Sequence, residues 1–167
     1  MSEERRAAAA LKYRPEQVKC LLVAEAPPTA PDRYFYFEDV REQDSLFRYV
    51  AQVVLGAKPT RENKPAALRA IRDRGYFLID LSEGPKNGVK LRSLVPGLVQ
   101  RVAEIGPVRI ILIKTNVFDL AYPALRAVHL PVVDARIPFP GQGWQSRFVE
   151  AFSDALHAEL TQVCSDV

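Results

Sequence analysis

The sequence predicts an α/β fold: a three-layer α/β/α sandwich around a central four-stranded, mostly parallel sheet with strand order 2-1-3-4. Four short apolar runs, at residues 20–24, 76–81, 108–113 and 130–134, have the length and composition of buried strands. Segments with the apolar spacing of helices separate these runs, as in βαβ units. Right-handed crossovers between parallel strands then lead to the predicted strand order.

The first apolar run ends at a carboxylate that two prolines follow. Glu25 and Ala26 come directly after residues 20–24, and Pro27 and Pro28 come next. Proline has no amide hydrogen and a fixed φ, so the sheet ladder cannot continue through this pair. In a parallel α/β sheet, ligands bind at the edge formed by the carboxyl ends of the strands. The sequence therefore predicts a binding site beside Glu25.

Helices are predicted between and around the strands. Asp44 or Ser45 is the expected N-cap of a helix that Gly56 ends. An opening helix is expected at residues 3–12, which are rich in helix formers. The remaining helices are predicted at 64–74, at 91–105 with a kink at Pro96-Gly97, at 117–128 with a kink at Pro123, and at 144–163.

Length and composition indicate one globular domain. The chain has 167 residues, a hydrophobic fraction of 48% and a formal net charge of +3. A single domain of residues 1–167, with residues 1–15 as an N-terminal helical extension, is the simplest organisation. The charge is a weak indication of a polyanionic partner, and the sequence does not indicate an oligomeric state.

Several classes of site and location are not expected. Cys20 and Cys164 lack the spacing of a metal-binding motif, and two cysteines cannot form a four-cysteine zinc or iron–sulfur site. We therefore expect no metal and no other cofactor. No run approaches the ~20 apolar residues of a membrane span, so no membrane partner is expected. The N-terminus lacks the apolar core of a signal peptide, which favours a cytoplasmic location.

Polar residues follow every predicted strand. Because the carboxyl ends of parallel strands meet at one edge, we expect these residues to converge there. Two carboxylates near two cations in a cleft can perform acid–base or electrostatic chemistry, and they can equally form a neutralising ion network. The converging residues are Glu25, Asp80, Ser82, Lys114, Thr115, Asn116 and Arg136.

Four consecutive aromatic residues, Tyr34 to Phe37, lie in the segment that follows the two prolines. These rings could form a stacking platform for a flipped base or a single strand, in which each stacked base contributes ~1–3 kcal/mol. Alternatively, some of them cover the edge of the sheet as part of the core. The sequence leaves both interpretations open.

Three motifs resemble the uracil-DNA glycosylase superfamily. Residues 24–28, which the aromatic residues 34–37 follow in the sequence, are similar to its first motif, a Gly-[Glu/Gln]-x-Pro turn after strand one. Residues 78–81 resemble its second-strand motif, in which an asparagine reads the uracil edge. Pro138-Phe139-Pro140 is similar to the His-Pro-Ser-Pro loop. The resemblance extends in order and spacing over about residues 17–160.

The resemblance implies a uracil-DNA glycosylase-like fold, base excision as the activity, and DNA, either single-stranded or with a flipped base, as the partner. It implies that Glu25 orients a water molecule or stabilises the cationic sugar, that Asp80 contacts the substrate, and that Tyr34 or Phe37 stacks on the base. The other candidate substrate-binding residues are Ala26, Pro27, Phe35, Ser82, Lys114, Asn116, Arg136 and Pro138.

The chain departs from the superfamily pattern at two positions. Asp80 stands where the motif has asparagine, and an ionised aspartate cannot donate a hydrogen bond to a uracil carbonyl. Ile137 stands where the motif has histidine and cannot stabilise the departing uracil anion. Three functions therefore stay open: a DNA N-glycosylase, a non-catalytic nucleic-acid-binding module on the same fold, and a small-molecule hydrolase.

Overall fold

The structure, a computed structural model, describes residues 2–39, 44–85, 88 and 90–158. Its helices and strands confirm the predicted α/β class. Residues 159–163, the predicted end of the last helix, and Cys164 lie outside the described residues. The elements are α1 (Ser2–Lys12), β1 (Cys20–Ala24), α2 (Ser45–Leu55), α3 (Lys64–Asp73), β2 (Tyr76–Asp80), α4 (Val95–Ile105), β3 (Arg109–Leu112), α5 (Thr115–Ala127) and α6 (Gln145–His157), with a 3₁₀ helix at Leu91–Leu94.

The three strands form a parallel sheet in the order β2-β1-β3, which agrees with the first three positions of the predicted order. β1 lies in the middle, and all five of its residues are buried because it has a neighbour on each side. Its last residue, Ala24, pairs with Asp80 of β2. This register places the carboxyl ends of β1 and β2 level with each other.

The predicted fourth strand at residues 130–134 does not form. This part of the chain makes only isolated parallel bridges, from Val132 to Ile110 and from Ile137 to Ile113. Pro131 has no amide hydrogen for a ladder. The Val132 amide donates to the Leu130 carbonyl oxygen at 2.8 Å, two residues back in its own chain. The segment therefore lies beside β3 without continuous pairing.

Proline also changes the predicted kink in the 91–105 segment. Pro96 lies in the first turn of α4, where backbone amides have no hydrogen-bond acceptor within the helix. The proline therefore begins the helix instead of bending it.

The caps predicted for α2 are confirmed. The Leu46 amide donates to Asp44 Oδ1 at 2.8 Å, and Gly56 ends the helix with a φ of +84°.

The aromatic segment 34–37 packs against the outer edge of β2. All four side chains are buried, with exposed fractions of 3–8%. The Tyr36 hydroxyl donates to the Leu78 carbonyl oxygen at 3.0 Å and accepts from the Leu78 amide at 2.6 Å. These two bonds satisfy backbone groups that an edge strand would otherwise leave unpaired. The structure thus supports the interpretation that the aromatic residues cover the sheet edge.

Helices pack on the sheet and on one another. α2 contacts α3 and α6, α4 contacts α5, and α3 and α5 contact β2 and β3 respectively. Within the part of the chain that the structure describes, every helix is too short or too polar to cross a membrane.

Two buried residues, Arg6 and Tyr13, attach the N-terminal segment to the core, while Leu11 is exposed.

Gly75→Ala is expected to lower the free energy of unfolding by about 1–3 kcal/mol. Gly75 has a φ of +84°, and a Cβ atom there would lie 2.7 Å from Lys19 Cγ. The Gly75 carbonyl oxygen also accepts from the Lys19 and Cys20 amides at the start of β1. Urea denaturation measures the change.

The matched control is Gly97→Ala in α4, where an added Cβ atom meets nothing within 4 Å. This change is expected to stabilise the protein by about 0.4–1 kcal/mol, because alanine loses less backbone entropy in a helix. If both variants changed the free energy of unfolding in the same direction, the assigned role of the Gly75 backbone would be contradicted.

Candidate functional site

A pocket of 240 Å³ lies at the carboxyl ends of the strands, where parallel α/β sheets bind ligands. We call it the rim pocket. Its wall combines apolar and aromatic side chains with three carboxyl groups and one lysine, the combination expected of a small-ligand site. The wall consists of Ala24, Glu25, Ala26, Pro27, Pro28, Tyr34, Phe35, Asp44, Leu46, Leu78, Asp80, Lys114 and Phe139.

Glu25 is held in place by both its side chain and its backbone. Lys114 Nζ lies 2.8 Å from Glu25 Oε2, and Asn116 Nδ2 donates a hydrogen bond to the same oxygen. The Ser82 amide donates to the Glu25 carbonyl oxygen at 2.9 Å, which continues the pairing beyond the end of β2. The Glu25 side chain is 12% exposed, so this carboxylate faces the pocket with little freedom to move.

Lys114, which pairs with Glu25, has a strained backbone. Its φ is +83° and its ψ is 134°, a conformation that costs a non-glycine residue on the order of 1–3 kcal/mol. Its amide donates to the Ile137 carbonyl oxygen at 3.0 Å, and its carbonyl oxygen accepts from the Phe118 amide at 3.1 Å. Such strain occurs often at functional sites, and here it belongs to the residue that forms the ion pair in the pocket.

Asp80 is the last residue of β2 and lies across from Ala24, one residue before Glu25. Burial, helped by the nearby charges of Asp44 and Glu25, raises the pKa of Asp80 to about 7, although Arg101 and Arg6 oppose the shift. A substantial fraction of Asp80 is therefore protonated near neutral pH. In that form its carboxyl group can donate a hydrogen bond as well as accept one.

A buried lysine supports the wall of the pocket from behind. Lys64 is fully buried, and its Nζ donates to the Tyr34 carbonyl oxygen at 3.1 Å and lies 4.7 Å from the centre of the Phe47 ring. Burial lowers the pKa of Lys64 to about 8, opposed by the charge of Asp44. Burial also raises the pKa of Asp44. Lys64 thus fixes the position of two parts of the wall, the aromatic segment and the start of α2.

The structure brings many of the predicted site residues together. Asn116 reaches the site through its hydrogen bond to Glu25. α5 begins at Thr115, two residues earlier than predicted, and this places Asn116 in its first turn. The predicted residues that line the rim pocket are Glu25, Ala26, Pro27, Tyr34, Phe35, Asp80 and Lys114.

Besides Asn116, four of the predicted substrate-binding residues do not line the rim pocket. Phe37 is buried beneath the Arg5 guanidinium group, whose central carbon lies 4.3 Å from the centre of the Phe37 ring. The Ser82 hydroxyl donates to the Gly84 carbonyl oxygen at 2.7 Å and lines a different cavity. Arg136 makes two 2.9 Å bonds to Asp119 at the surface. Pro138 is also absent from the wall, although its neighbour Phe139 is part of it.

Sequence reasoning missed some residues that shape the pocket. Asp44 was predicted as an N-cap, but nothing in the neighbouring residues indicated that it also lines a pocket. Phe139 lines the pocket and is 39% exposed. The segment Pro138-Phe139-Pro140 was singled out for its resemblance to the superfamily loop, but only Pro138 was predicted to bind substrate. Lys64 gave no signal, because a lysine near the start of a helix is usually exposed.

Comparisons with protein-family models, curated proteins and solved structures gave no match to this chain. The chemistry of the rim pocket therefore has to follow from its own residues. Within the described ranges, no group of three or more His, Cys, Asp or Glu residues is arranged to hold a metal ion. The pocket instead pairs a fixed carboxylate with a protonatable carboxyl group, a combination suited to acid–base and electrostatic chemistry.

Proposed function

We propose that the chain is a divergent member of the uracil-DNA glycosylase superfamily, and that its rim pocket binds a nucleobase in DNA and hydrolyses the N-glycosidic bond. In this proposal the helices form the two outer layers of an α/β/α sandwich, and residues 130–137 take the place of a fourth strand. One observation carries the proposal: Glu25 and Asp80, from neighbouring strand ends, line the same pocket, where Glu25 forms an ion pair with Lys114 and burial raises the pKa of Asp80 to about 7.

Cleavage of an N-glycosidic bond needs two kinds of group. Positive charge develops on the sugar and negative charge on the base, so a carboxylate must lie near C1′ and a donor near a base oxygen. Glu25, fixed by Lys114 and Asn116, is the candidate for the first role, either directly or by orienting water. Protonated Asp80 is the candidate for the second role.

A neutral Asp80 also accounts for one departure from the superfamily. Where the motif asparagine donates an amide N–H to the uracil edge, a protonated carboxyl group can donate an O–H. The raised pKa of Asp80 supports this substitution, because the neutral form is available near pH 7. The apolar and aromatic wall, which includes Tyr34, Phe35 and Phe139, suits the faces of a planar base.

The direct test is base excision by the purified chain. Oligonucleotides carrying uracil, hypoxanthine or xanthine are incubated with the protein at about pH 6, and abasic sites are detected by alkaline cleavage. We expect abasic sites with at least one of these bases. Their absence with all three, from protein shown to be folded, would contradict the glycosylase proposal.

The activity is expected to fall as pH rises through about 7, because the donor form of Asp80 is lost. One unit above its pKa of about 7, only about a tenth of Asp80 stays protonated, so excision at pH 8 should be roughly tenfold slower than the low-pH plateau. Asparagine does not titrate and keeps a donor. Asp80→Asn should therefore retain activity at pH 8, measured as initial rates across the pH range.

The stability of the same variant provides an independent control. The pKa of Asp80 is raised in the folded state, so its contribution to stability is present below about pH 4 and is lost as pH rises to about 7. Asp80→Asn should therefore be stabilised relative to wild type at pH 8, by on the order of 1–3 kcal/mol, and less so at pH 5. Equal changes in stability at pH 5 and pH 8 would show that the environment of Asp80 is misassigned.

A second candidate function is a non-catalytic nucleic-acid-binding module, and the position of Ile137 favours it. The Ile137 side chain is fully buried, so this position supplies no donor to a departing base. Such a module would bind single-stranded DNA in a salt-dependent manner without forming abasic sites. Phe139→Ala should weaken that binding, because Phe139 is a partly exposed ring of the pocket wall. No binding at low salt would exclude this candidate.

A further inference from the structure

The single tryptophan of the chain lies at the surface. Trp144 is 48% exposed, whereas tryptophan in a folded protein is usually buried over most of its area. It immediately precedes α6, at the end of a short segment that begins with Phe139. We call residues 139–144 the rim loop. The proposed base excision assigns no role to the tryptophan of this loop.

The rim loop connects Trp144 to the rim pocket. Phe139, at the start of the loop, is part of the pocket wall. The Gly141 amide donates to the Phe139 carbonyl oxygen at 2.8 Å, and the Gly141 carbonyl oxygen accepts from the Trp144 amide at 3.0 Å. A Cβ atom added at Gly141 would lie 3.5 Å from Phe139 Cδ1. Because these contacts keep the loop compact, Trp144 stands beside the pocket wall.

The other end of the rim loop is anchored to the core. The Phe148 amide donates to the Trp144 carbonyl oxygen at 2.9 Å. Phe148 and Phe152 of α6 are fully buried, with ring centres 5.4 Å apart, and α6 also packs on α2. Trp144 is therefore exposed on a fixed backbone, so little conformational entropy is lost when a ligand contacts its ring.

Arg147 places a positive charge on the exposed ring. Its guanidinium carbon lies 4.9 Å from the centre of the Trp144 ring, within the range of a cation–π interaction. Among the described residues, no carboxylate forms an ion pair with Arg147, and the first turn of α6 contains no acidic residue. An aromatic ring beside such a cation is the combination that binds single-stranded nucleic acids.

We propose that Trp144 and Arg147 bind the nucleotide next to the one in the rim pocket, and that the DNA is single-stranded there. The neighbouring base stacks on the Trp144 ring, and Arg147 contacts its phosphate group. This inference rests on the proposed function, because a nucleotide in the pocket brings the adjoining strand to the rim loop. A single strand is required, since a base inside a duplex has both faces covered by its neighbours.

The fluorescence of Trp144 reports this contact, because the chain has no other tryptophan. The full chain is titrated at low salt with oligothymidylate, which contains no uracil, hypoxanthine or xanthine, so the measurement does not depend on excision. We expect saturable quenching, since a stacked base lies against the indole ring. Absence of quenching would overturn the proposal, whether or not the oligonucleotide binds elsewhere on the protein.

The duplex of the same strand with oligodeoxyadenylate tests the single-stranded form of the ligand. It carries more phosphate charge but has no free base face, so it should quench Trp144 less at equal concentration. Equal quenching by the duplex would overturn the assignment of a single strand to this site.

Trp144→Leu should weaken the binding of labelled oligothymidylate by about 5–150-fold, which corresponds to the loss of one stacked base. Trp144→Phe keeps an aromatic face and should weaken binding less. Because Trp144 is exposed, both variants should melt at the temperature of wild type, which thermal denaturation checks. Equal affinities of wild type and the leucine variant would overturn the proposal.

Arg147→Gln should make binding less dependent on salt. The slope of log affinity against log salt concentration should fall in magnitude by about 0.7, because one phosphate contact is lost. Arg126→Gln is the matched control. Arg126 is also exposed, but it lies near the end of α5, about 16 Å along the helix from its start beside β3. The control should keep the slope of wild type, and an equal reduction in both variants would overturn the role of Arg147.

These results can be separated from the excision test. Quenching of Trp144 without formation of abasic sites would support this nucleotide site and contradict the glycosylase proposal. Excision without quenching would support the proposed activity and overturn the role of Trp144 and Arg147.

Discussion

Glu25→Gln is expected to slow the proposed base excision by about 10²–10⁴-fold, the range typical of a missing catalytic acid–base group. Glutamine keeps the shape of the side chain but carries no negative charge to stabilise a cationic sugar or to polarise water. The ion pair with Lys114 is lost with the charge. Single-turnover formation of abasic sites measures the chemical step separately from DNA binding.

Asp119→Asn serves as the control for this change. Asp119 is also a carboxylate paired with a cation, but it lies at the surface on α5, where it binds Arg136 outside the rim pocket. Its excision rate should remain within about twofold of wild type, because a surface ion pair contributes little. Undiminished excision by Glu25→Gln would remove the role assigned to Glu25, and with it the proposed mechanism.

Lys64→Ala is expected to lower the free energy of unfolding by about 3–5 kcal/mol, which is a large part of the stability of a domain this size. The change leaves a cavity where a fully buried side chain stood. It also removes the donor to the Tyr34 carbonyl oxygen and the cation that faces Asp44. Urea denaturation measures the loss.

Lys58→Ala is the matched control for Lys64→Ala. Lys58 is exposed and lies over the Tyr49 ring at 4.9 Å, so its removal should cost less than about 1 kcal/mol. Equal losses for the two lysines would contradict the assignment of Lys64 as a buried support of the pocket wall.

The pH dependence of Lys64 gives a further check on its burial. Its pKa is lowered from 10.5 to about 8 in the folded state, so the unfolded chain binds more protons between these values. The stability of wild type relative to Lys64→Met should therefore increase as pH rises from 8 towards 10. A constant difference would indicate that Lys64 reaches solvent.

Some parts of this protein could be predicted from neighbouring residues in the chain. The apolar run of β1 and the two prolines after Glu25 predicted where a strand ends, because these signals act within a few residues. The caps of α2 at Asp44 and Gly56 were predicted for the same reason. The parallel alignment of β1 and β2 then followed from general rules of strand connection.

The partners of the charged residues were decided only by the tertiary structure. Sequence position suggested that Arg136 joins the site, yet it binds Asp119, while Lys64 and Arg6 are buried although their residue types are usually exposed. The segment 130–134 has the composition of a strand, but its local backbone bonds leave only isolated bridges to β3.

The state of Asp80 shows the physical reason for this division. That β2 ends in a carboxyl group is evident from the sequence, whereas its pKa of about 7 depends on burial and on Asp44, Arg101, Arg6 and Glu25. Together with Asp80 itself, these residues come from five separate parts of the chain. Turns, caps and strand ends are determined by short-range sterics and hydrogen bonding, while protonation and cavity shape depend on groups that only folding brings together.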